Sequence, residues 1–249
     1  MWVISMKSLI GKHKKGRKME SAQRVDISAF VPSVLLGRPL NDIERKYAPS
    51  RLYVSGPMGI PIPRPRVGIV GSRQATPQGI TDADLITRIL VGKGVTIVSG
   101  LAKGIDTAAH EAAIRAGGHT IAVLGTPLDR VYPQENAELQ NEIVRHHLAL
   151  SQFRVGSIVR RSNFVLRNRT MALIADASII VQAGESSGSL SQGWEALRLG
   201  RPLFIWKPIF ESSLRWPKEM VKFGAIILSD PKDVLENLPS AASVLRIRL

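Results

Sequence analysis

Cysteine is absent from the 249 residues, which excludes a disulfide framework, thiolate catalysis and cysteine-ligated metal. Histidine is sparse, five in all, and forms no spaced ligand set. His146 and His147 are adjacent, His13 lies in a basic run, and His110 and His119 have no partner at metal-binding spacing. Neither a metal nor another cofactor is expected. No apolar run approaches the roughly 20 residues that span a bilayer. The apolar opening MWVISMKSLI is shorter than a secretory segment, and its basic residues mostly follow it. The composition therefore points to a cytoplasmic protein with no membrane contact.

Two common nucleotide signatures are missing as well. From Gly71 the chain reads GSRQATPQG, without the Gly-Lys-Ser/Thr of a Walker A loop. The glycines at 68 and 71 do not make the dinucleotide fingerprint either. A phosphate site in this chain has to be assembled from several loops.

Positive charge, by contrast, is abundant. Lysine and arginine number 34 against 20 acidic residues, a net charge of +14. Within residues 1–24, Lys7, Lys12, Lys14, Lys15, Arg17, Lys18 and Arg24 stand against Glu20 alone. This is a basic arm, expected to be disordered, of the kind that contacts polyanions or merely solubilises a chain. Excess charge persists in the body at Arg160-Arg161, Arg167 and Arg169, which makes nucleic acid a credible partner.

Residues 25–66 read as short helical patterns (Ile27–Leu36, Leu40–Tyr47) followed by a proline-rich strap, GPMGIPIPRPR. From Val67 the pattern becomes regular and continues to residue 240, with 241–249 as a tail. Apolar β-runs at Val67–Val70, Thr96–Val98, Thr120–Leu124, Leu148–Ser151, Ser178–Val181, Leu203–Trp206 and Ala225–Leu228 alternate with helical spacing. About seven or more short, β-branched strands separated by helices predict an α/β protein with a mostly parallel, doubly wound sheet. Ligands of such sheets sit beyond the carboxyl ends of the strands.

The stretch Thr96–Ala116, TIVSGLAKGIDTAAHEAAIRA, organises the rest. A strand, a glycine turn and a helix N-terminus make an anion receptor of unpaired N–H groups and helix dipole. Ser99, Gly100 and Gly104 would supply backbone donors and Lys103 a cation. Asp106 and His110, four apart on one helix face, fit a base–orienter pair, or else a turn-ordering carboxylate with a packed imidazole. Other strand-end loops add Gly71-Ser72-Arg73, the pair Arg167 and Arg169 around Asn168, and Ser187-Gly188-Ser189 at another helix start. Trp206, at a strand end, is the stacking candidate among the tryptophans. Trp194 has core spacing with Leu190 and Leu197.

SGLAKGID…AAH, GGHTIAVLGTPLDRVYPQEN, the Phe164/Arg167-Asn168-Arg169 run and SGSL together resemble the DprA/Smf DNA-processing family across Val67 to about Pro208. The resemblance implies an extended Rossmann fold, single-stranded DNA held in a basic pocket, a homodimer and a RecA-type recombinase as partner. Carried over by motif, it implies DNA-phosphate contacts at Gly71, Ser72, Arg73, Ser99, Gly100, Lys103, Gly104, Arg167, Asn168, Arg169, Ser187, Gly188 and Ser189. Lys103 stands where the family often has arginine.

Departures accompany the match. Gln152 and Gln182 stand where the family usually has glutamate, and Ser191-Gln192-Gly193-Trp194 replaces its usual continuation after SGSL. The N-terminal helical domain is expected to be reduced to a short basic segment, with no C-terminal winged-helix-like domain. A more distant likeness, to lonely-guy-type phosphoribohydrolases, rests on SSGSLSQGWE. It implies a second reading, a nucleotide or nucleoside-phosphate N-glycosidase; a nucleotide-sensing component of a defence system is a further alternative that rests on the same pocket alone. Glu195 and Gln182 would then occupy the catalytic positions, with Arg167 or Arg169 as the nearby cation. Glu195 as a plain helix-surface residue is the competing reading.

Overall fold

The computed structural model describes residues 26–238; the basic arm expected over 1–24 and the tail over 241–249 lie outside them. The seven β-runs expected from the sequence all form, as β3 (Arg66–Gly71), β4 (Thr96–Ser99), β5 (Thr120–Leu124), β6 (Leu148–Ser151), β7 (Ala177–Gln182), β8 (Leu203–Trp206) and β9 (Ile226–Leu228). All seven are mutually parallel. Two further strands extend the sheet beyond β6: β2 (Leu52–Ser55) pairs antiparallel with β6 and β1 (Ser28–Phe30) antiparallel with β2, completing a nine-stranded sheet ordered β1-β2-β6-β5-β4-β3-β7-β8-β9.

Residues 25–66 therefore differ from the helical reading of that segment. Ile27–Leu36 divides into β1 and the short helix α1 (Pro32–Leu36). Leu40–Tyr47 yields α2 (Asp42–Tyr47), opened by a capping box between Asn41 and Glu44. Leu52–Ser55 pairs with β6, and Leu35 and Leu52 are fully buried, so the segment shares the main core. Ion pairs fasten it at the N-terminal end of the sheet. Asp176 receives Arg64 at 2.7 Å and Arg66 at 3.2 Å, and Glu44 receives Arg38 at 2.6 Å and Arg201 at 2.8 Å. Alternating charge and proline hid these strands from a reading based on periodicity.

The central helices are α3 (Pro77–Val91), α4 (Ile105–Arg115), α5 (Ala137–His146), α6 (Arg161–Ile174) and α7 (Gly188–Arg198). β3 to β6 advance in one direction across the sheet, and β7 to β9 in the other. Right-handed crossovers then put α3, α4 and α5 on one face and α6 and α7 on the opposite one. α3 packs on α4, and α6 on α7. Ala108, Ala109, Ala112 and Ala113 are buried, and their small side chains let α4 lie close to the strands. The reversal of strand order falls between β3 and β7, where a crevice opens at the carboxyl ends.

The candidate phosphate-binding cavity

A cavity of about 850 Å³ occupies that crevice. The β3 loop contributes Gly71, Ser72, Arg73 and Gln74. The first turns of α6 supply Arg161, Phe164, Val165, Arg167 and Asn168. The β7–α7 loop contributes Gly184 and Ser186 to Ser189, with Ser191 and Gln192 behind it. A recess of about 120 Å³ adjoins it, lined by Gly100, Leu101, Lys103, Gly125 and Pro133. Arg73, Ala102, Tyr132, Phe164 and Arg167 border both spaces.

Close backbone contacts set this geometry. The Ser72 N–H donates to the Gln182 carbonyl at 2.6 Å, joining the ends of β3 and β7. A Cβ on Gly71 would lie 2.5 Å from Ile105 Cγ1 and 2.6 Å from the Gln182 carbonyl oxygen, so only glycine fits. Gly104, at φ +78°, backs onto the Ser72 carbonyl, and the Ile105 N–H donates to that oxygen at 3.2 Å.

The receptor expected at the start of α4 is built but already occupied by its own chain. Asp106 Oδ2 accepts the N–H groups of Gly100 at 3.2 Å and Ala102 at 3.4 Å. Ser99 Oγ donates to the Ile69 carbonyl at 2.6 Å. Lys103 pairs with Glu135 on the surface. The Ser99 hydroxyl and the Gly100 N–H thus serve the fold, Ser99 and Gly104 line neither space, and Asp106 is the carboxylate that orders the turn. Burial pushes the Asp106 carboxyl above the usual range, with the nearby Arg167 guanidinium acting against the shift. His110 is buried, with Nδ1 2.7 Å from Thr120 Oγ1, and burial drives its pKa down to about 3. His110 is a packed imidazole and does not line the cavity.

Arg167 is the buried cation of the site. Its Nη1 donates to the Val123 carbonyl at 3.0 Å and to the Gly100 carbonyl, and Nε donates to Asn168 Oδ1 at 3.1 Å. Burial lowers its pKa and Asp106 opposes that shift. Asn168 Nδ2 in turn donates to the Gly188 carbonyl at 3.0 Å, fixing α7 against α6.

The start of α7 carries no such internal anion. Ser187 caps it and its first turn carries no acidic residue. The Gly188 N–H has no acceptor among the described residues, and a Cβ built there meets nothing within 4 Å. Charged residues lining the cavity are Arg73, Arg161 and Arg167, against Asp106 alone. Exposed Arg73 lies 5.7 Å from the centre of the Phe164 ring, whose other neighbour is the Tyr132 ring at 5.1 Å.

Several residues expected at the site lie outside it. Arg169 points the other way from α6: its Nε and Nη2 both donate to Glu195 Oε1 at 3.2 Å, and its guanidinium lies over Tyr47 at 5.2 Å. Glu195, held also by Arg198 at 3.4 Å, is turned into this network between α6 and α7. Gln182 reaches back to cap α3: Oε1 accepts the Thr76 N–H and Nε2 donates to Thr76 Oγ1, each at 2.9 Å. Trp206 is only 8% exposed and donates to Asp82 Oδ2 at 3.0 Å, so its ring is not free to stack. In the other direction, Tyr132 and Phe164 line the cavity mouth unforeseen in any binding role. Both lie in family-like motifs, and that was the available signal.

Fold and cavity together define an extended Rossmann-type protein with a cavity bounded by three arginines at its topological switch point. The family model described as DNA recombination-mediator protein A matches residues 37–239. The chain belongs to that family. It is similar to the DNA processing protein DprA of Bacillus subtilis, 34% identical over 192 residues that cover 77% of this chain. It also resembles the solved structure of DprA from Streptococcus pneumoniae, with TM-score 0.72 and 33% identity over 88% of this chain and 76% of that one. A third match is a Helicobacter pylori DNA processing protein A structure described for its single-stranded DNA binding mode. There the TM-score is 0.69 and the identity 25%, over 90% of this chain and 98% of that one. The match spans 65% of the full length of the Bacillus relative. No helix among the described residues is long and apolar enough to cross a membrane.

Proposed function

We propose that this protein binds single-stranded DNA, holding the strand's phosphates in the cavity between β3 and β7. The observation that carries the reading is the start of α7, which has no acidic residue in its first turn and leaves the Gly188 N–H open, facing a cavity bounded by Arg73, Arg161 and Arg167. Aligned N–H groups and guanidinium cations recognise phosphate oxygens without reading sequence. The neighbouring recess, bordered by Tyr132 and Phe164, is of a size to take one unstacked base. The binding mode named for the Helicobacter relative supports the same ligand.

Assembly as a homodimer and delivery of the strand to a RecA-type recombinase complete the proposal. The edge strand β9 offers an apolar surface for pairing, with Ile226, Ile227 and the nearby Phe223 exposed. Hydrolysis of a nucleotide N-glycosidic bond has less support, because Glu195 and Gln182 are both committed to side-chain partners away from the cavity.

Labelled single strands and a panel of mononucleotides, incubated with the protein in parallel, test this reading. Retention of the strands, with affinity falling steeply as salt rises and no free base released, is the expected outcome. Release of base from a mononucleotide, without strand retention, would replace this reading by the enzymatic one.

A further inference from the structure

We propose that the surface from Arg154 to Val165 is a second nucleic-acid subsite, carrying the strand onward from the cavity over the N-terminal end of α6. This rests on the strand-binding reading above and extends it to nucleotides beyond those in the cavity.

Sequence and exposure agree on this stretch. Between Glu142 and Asp176 there is no acidic residue, while six arginines occur. Arg154, Arg160 and Arg161 are exposed and have no carboxylate partner among the described residues. Many arginines elsewhere do have one: Arg64 and Arg66 share Asp176, and Arg88 and Arg115 share Asp84. The same stretch exposes apolar side chains. Ile158 is 73% exposed, the most among the large apolar residues described, and Val165 is 54% exposed.

Apolar side chains set among unpaired cations match a ligand that alternates phosphate charge with flat apolar base faces. The patch is also continuous with the cavity. Arg161 and Val165 lie one turn apart on the same side of α6, and both line the cavity wall. Ile158 precedes Arg161 by three residues, on the loop that leads into the helix. A strand leaving the cavity at this wall meets cations and apolar contacts in turn. An acidic, apolar peptide shares part of this chemistry, but it would have no reason to continue into a phosphate receptor.

Anisotropy titrations with oligothymidylates of increasing length test the subsite, comparing the full chain with Ile158→Asp and with the double variant Arg154→Ala/Arg160→Ala. None of these three side chains lines the cavity, and all are exposed, so the fold tolerates the changes. The wild type is expected to gain affinity with length. Both variants should match it on the shortest strand that binds and lose most of that gain, by about tenfold or more on long strands. The double variant should also reduce the salt slope by about 1.4. An undiminished gain with length in both variants overturns the subsite while leaving the cavity reading intact. If that outcome comes with loss of binding to a glutamate- and leucine-rich peptide, the patch belongs to a protein partner. A wild type that binds no strand of any length overturns the cavity reading, and the subsite falls with it.

Discussion

The Asp106 carboxylate accepts the Gly100 N–H at 3.2 Å, so the start of α4 is closed by an anion from the same chain. This contact distinguishes the two helix starts at the cavity. A ligand phosphate directed to α4 would meet a carboxylate already in place, whereas the start of α7, across the cavity, has no acidic residue in its first turn. Asp106 lines the cavity, and its charge opposes an anionic ligand there.

Asp106→Asn should therefore strengthen strand binding severalfold at neutral pH, because its side-chain carbonyl still accepts the Gly100 N–H while the charge is gone. Wild-type affinity should rise as the pH falls through the Asp106 titration, which burial has moved upward. A carboxyl with a raised folded-state pKa contributes stability at low pH and loses it as pH rises, so the variant should be at least as stable as wild type at neutral pH. Anisotropy across pH at constant ionic strength, beside thermal melts, checks both statements.

His110 sets an acid limit. Its folded-state pKa of about 3 lies below the ordinary 6.5, so the neutral imidazole is the form the fold prefers. Its contribution is fully present above about 6.5 and is lost as the pH falls toward 3. His147 is also lowered by burial and adds with the same sign. Glu44 and Asp176, held low by their arginines, lose their contribution only in the carboxylate range. Asp106, raised by burial, contributes with the opposite sign over the same range, so the His110 share is read as a difference: in denaturant unfolding His110→Gln should lose less stability than wild type between about pH 6.5 and 4.5.

Gly100 and Gly188 should respond oppositely to alanine. A Cβ on Gly100 would sit 1.9 Å from Arg167 Nη1, expelling a buried guanidinium and stranding the Val123 carbonyl. Gly100→Ala should cost about 2–4 kcal/mol and weaken strand binding. Gly188→Ala meets open space and should change stability by no more than about 0.5 kcal/mol. Chemical denaturation of the two variants side by side decides this.

Arg169→Ala separates motif from position. Its guanidinium is bound to Glu195 and lies over Tyr47, so strand affinity should stay within about twofold of wild type. Stability should fall by about 1–2 kcal/mol as Glu195 loses a partner. A binding loss as large as that from removing a cavity arginine would place Arg169 in the site after all.

Much of the fold was legible because parallel strands buried on both faces write themselves as short β-branched runs, as at Thr120–Leu124. Ser28–Phe30 and Leu52–Ser55 left no such mark, because edge and antiparallel strands among prolines and charges lack that pattern. The site was legible as loops but not as directions. Arg167 and Arg169 stand two residues apart on one helix, about 200° around its axis, and only the former can turn toward the cavity. Motif matching cannot distinguish them. The Asp106 contact was equally invisible as a competitor, since a carboxylate in the first turn of a helix reads as an ordinary favourable feature.

The most direct measurement is the affinity of Gly188→Asp for a single-stranded oligonucleotide, compared with wild type at fixed ionic strength. The substitution places a carboxylate where the account puts a phosphate, in open space and at a helix position that favours an acid, so folding is preserved. A melt no lower than wild type and an affinity lower by about tenfold or more are expected. Wild-type affinity in a folded Gly188→Asp protein would contradict a phosphate site at the start of α7.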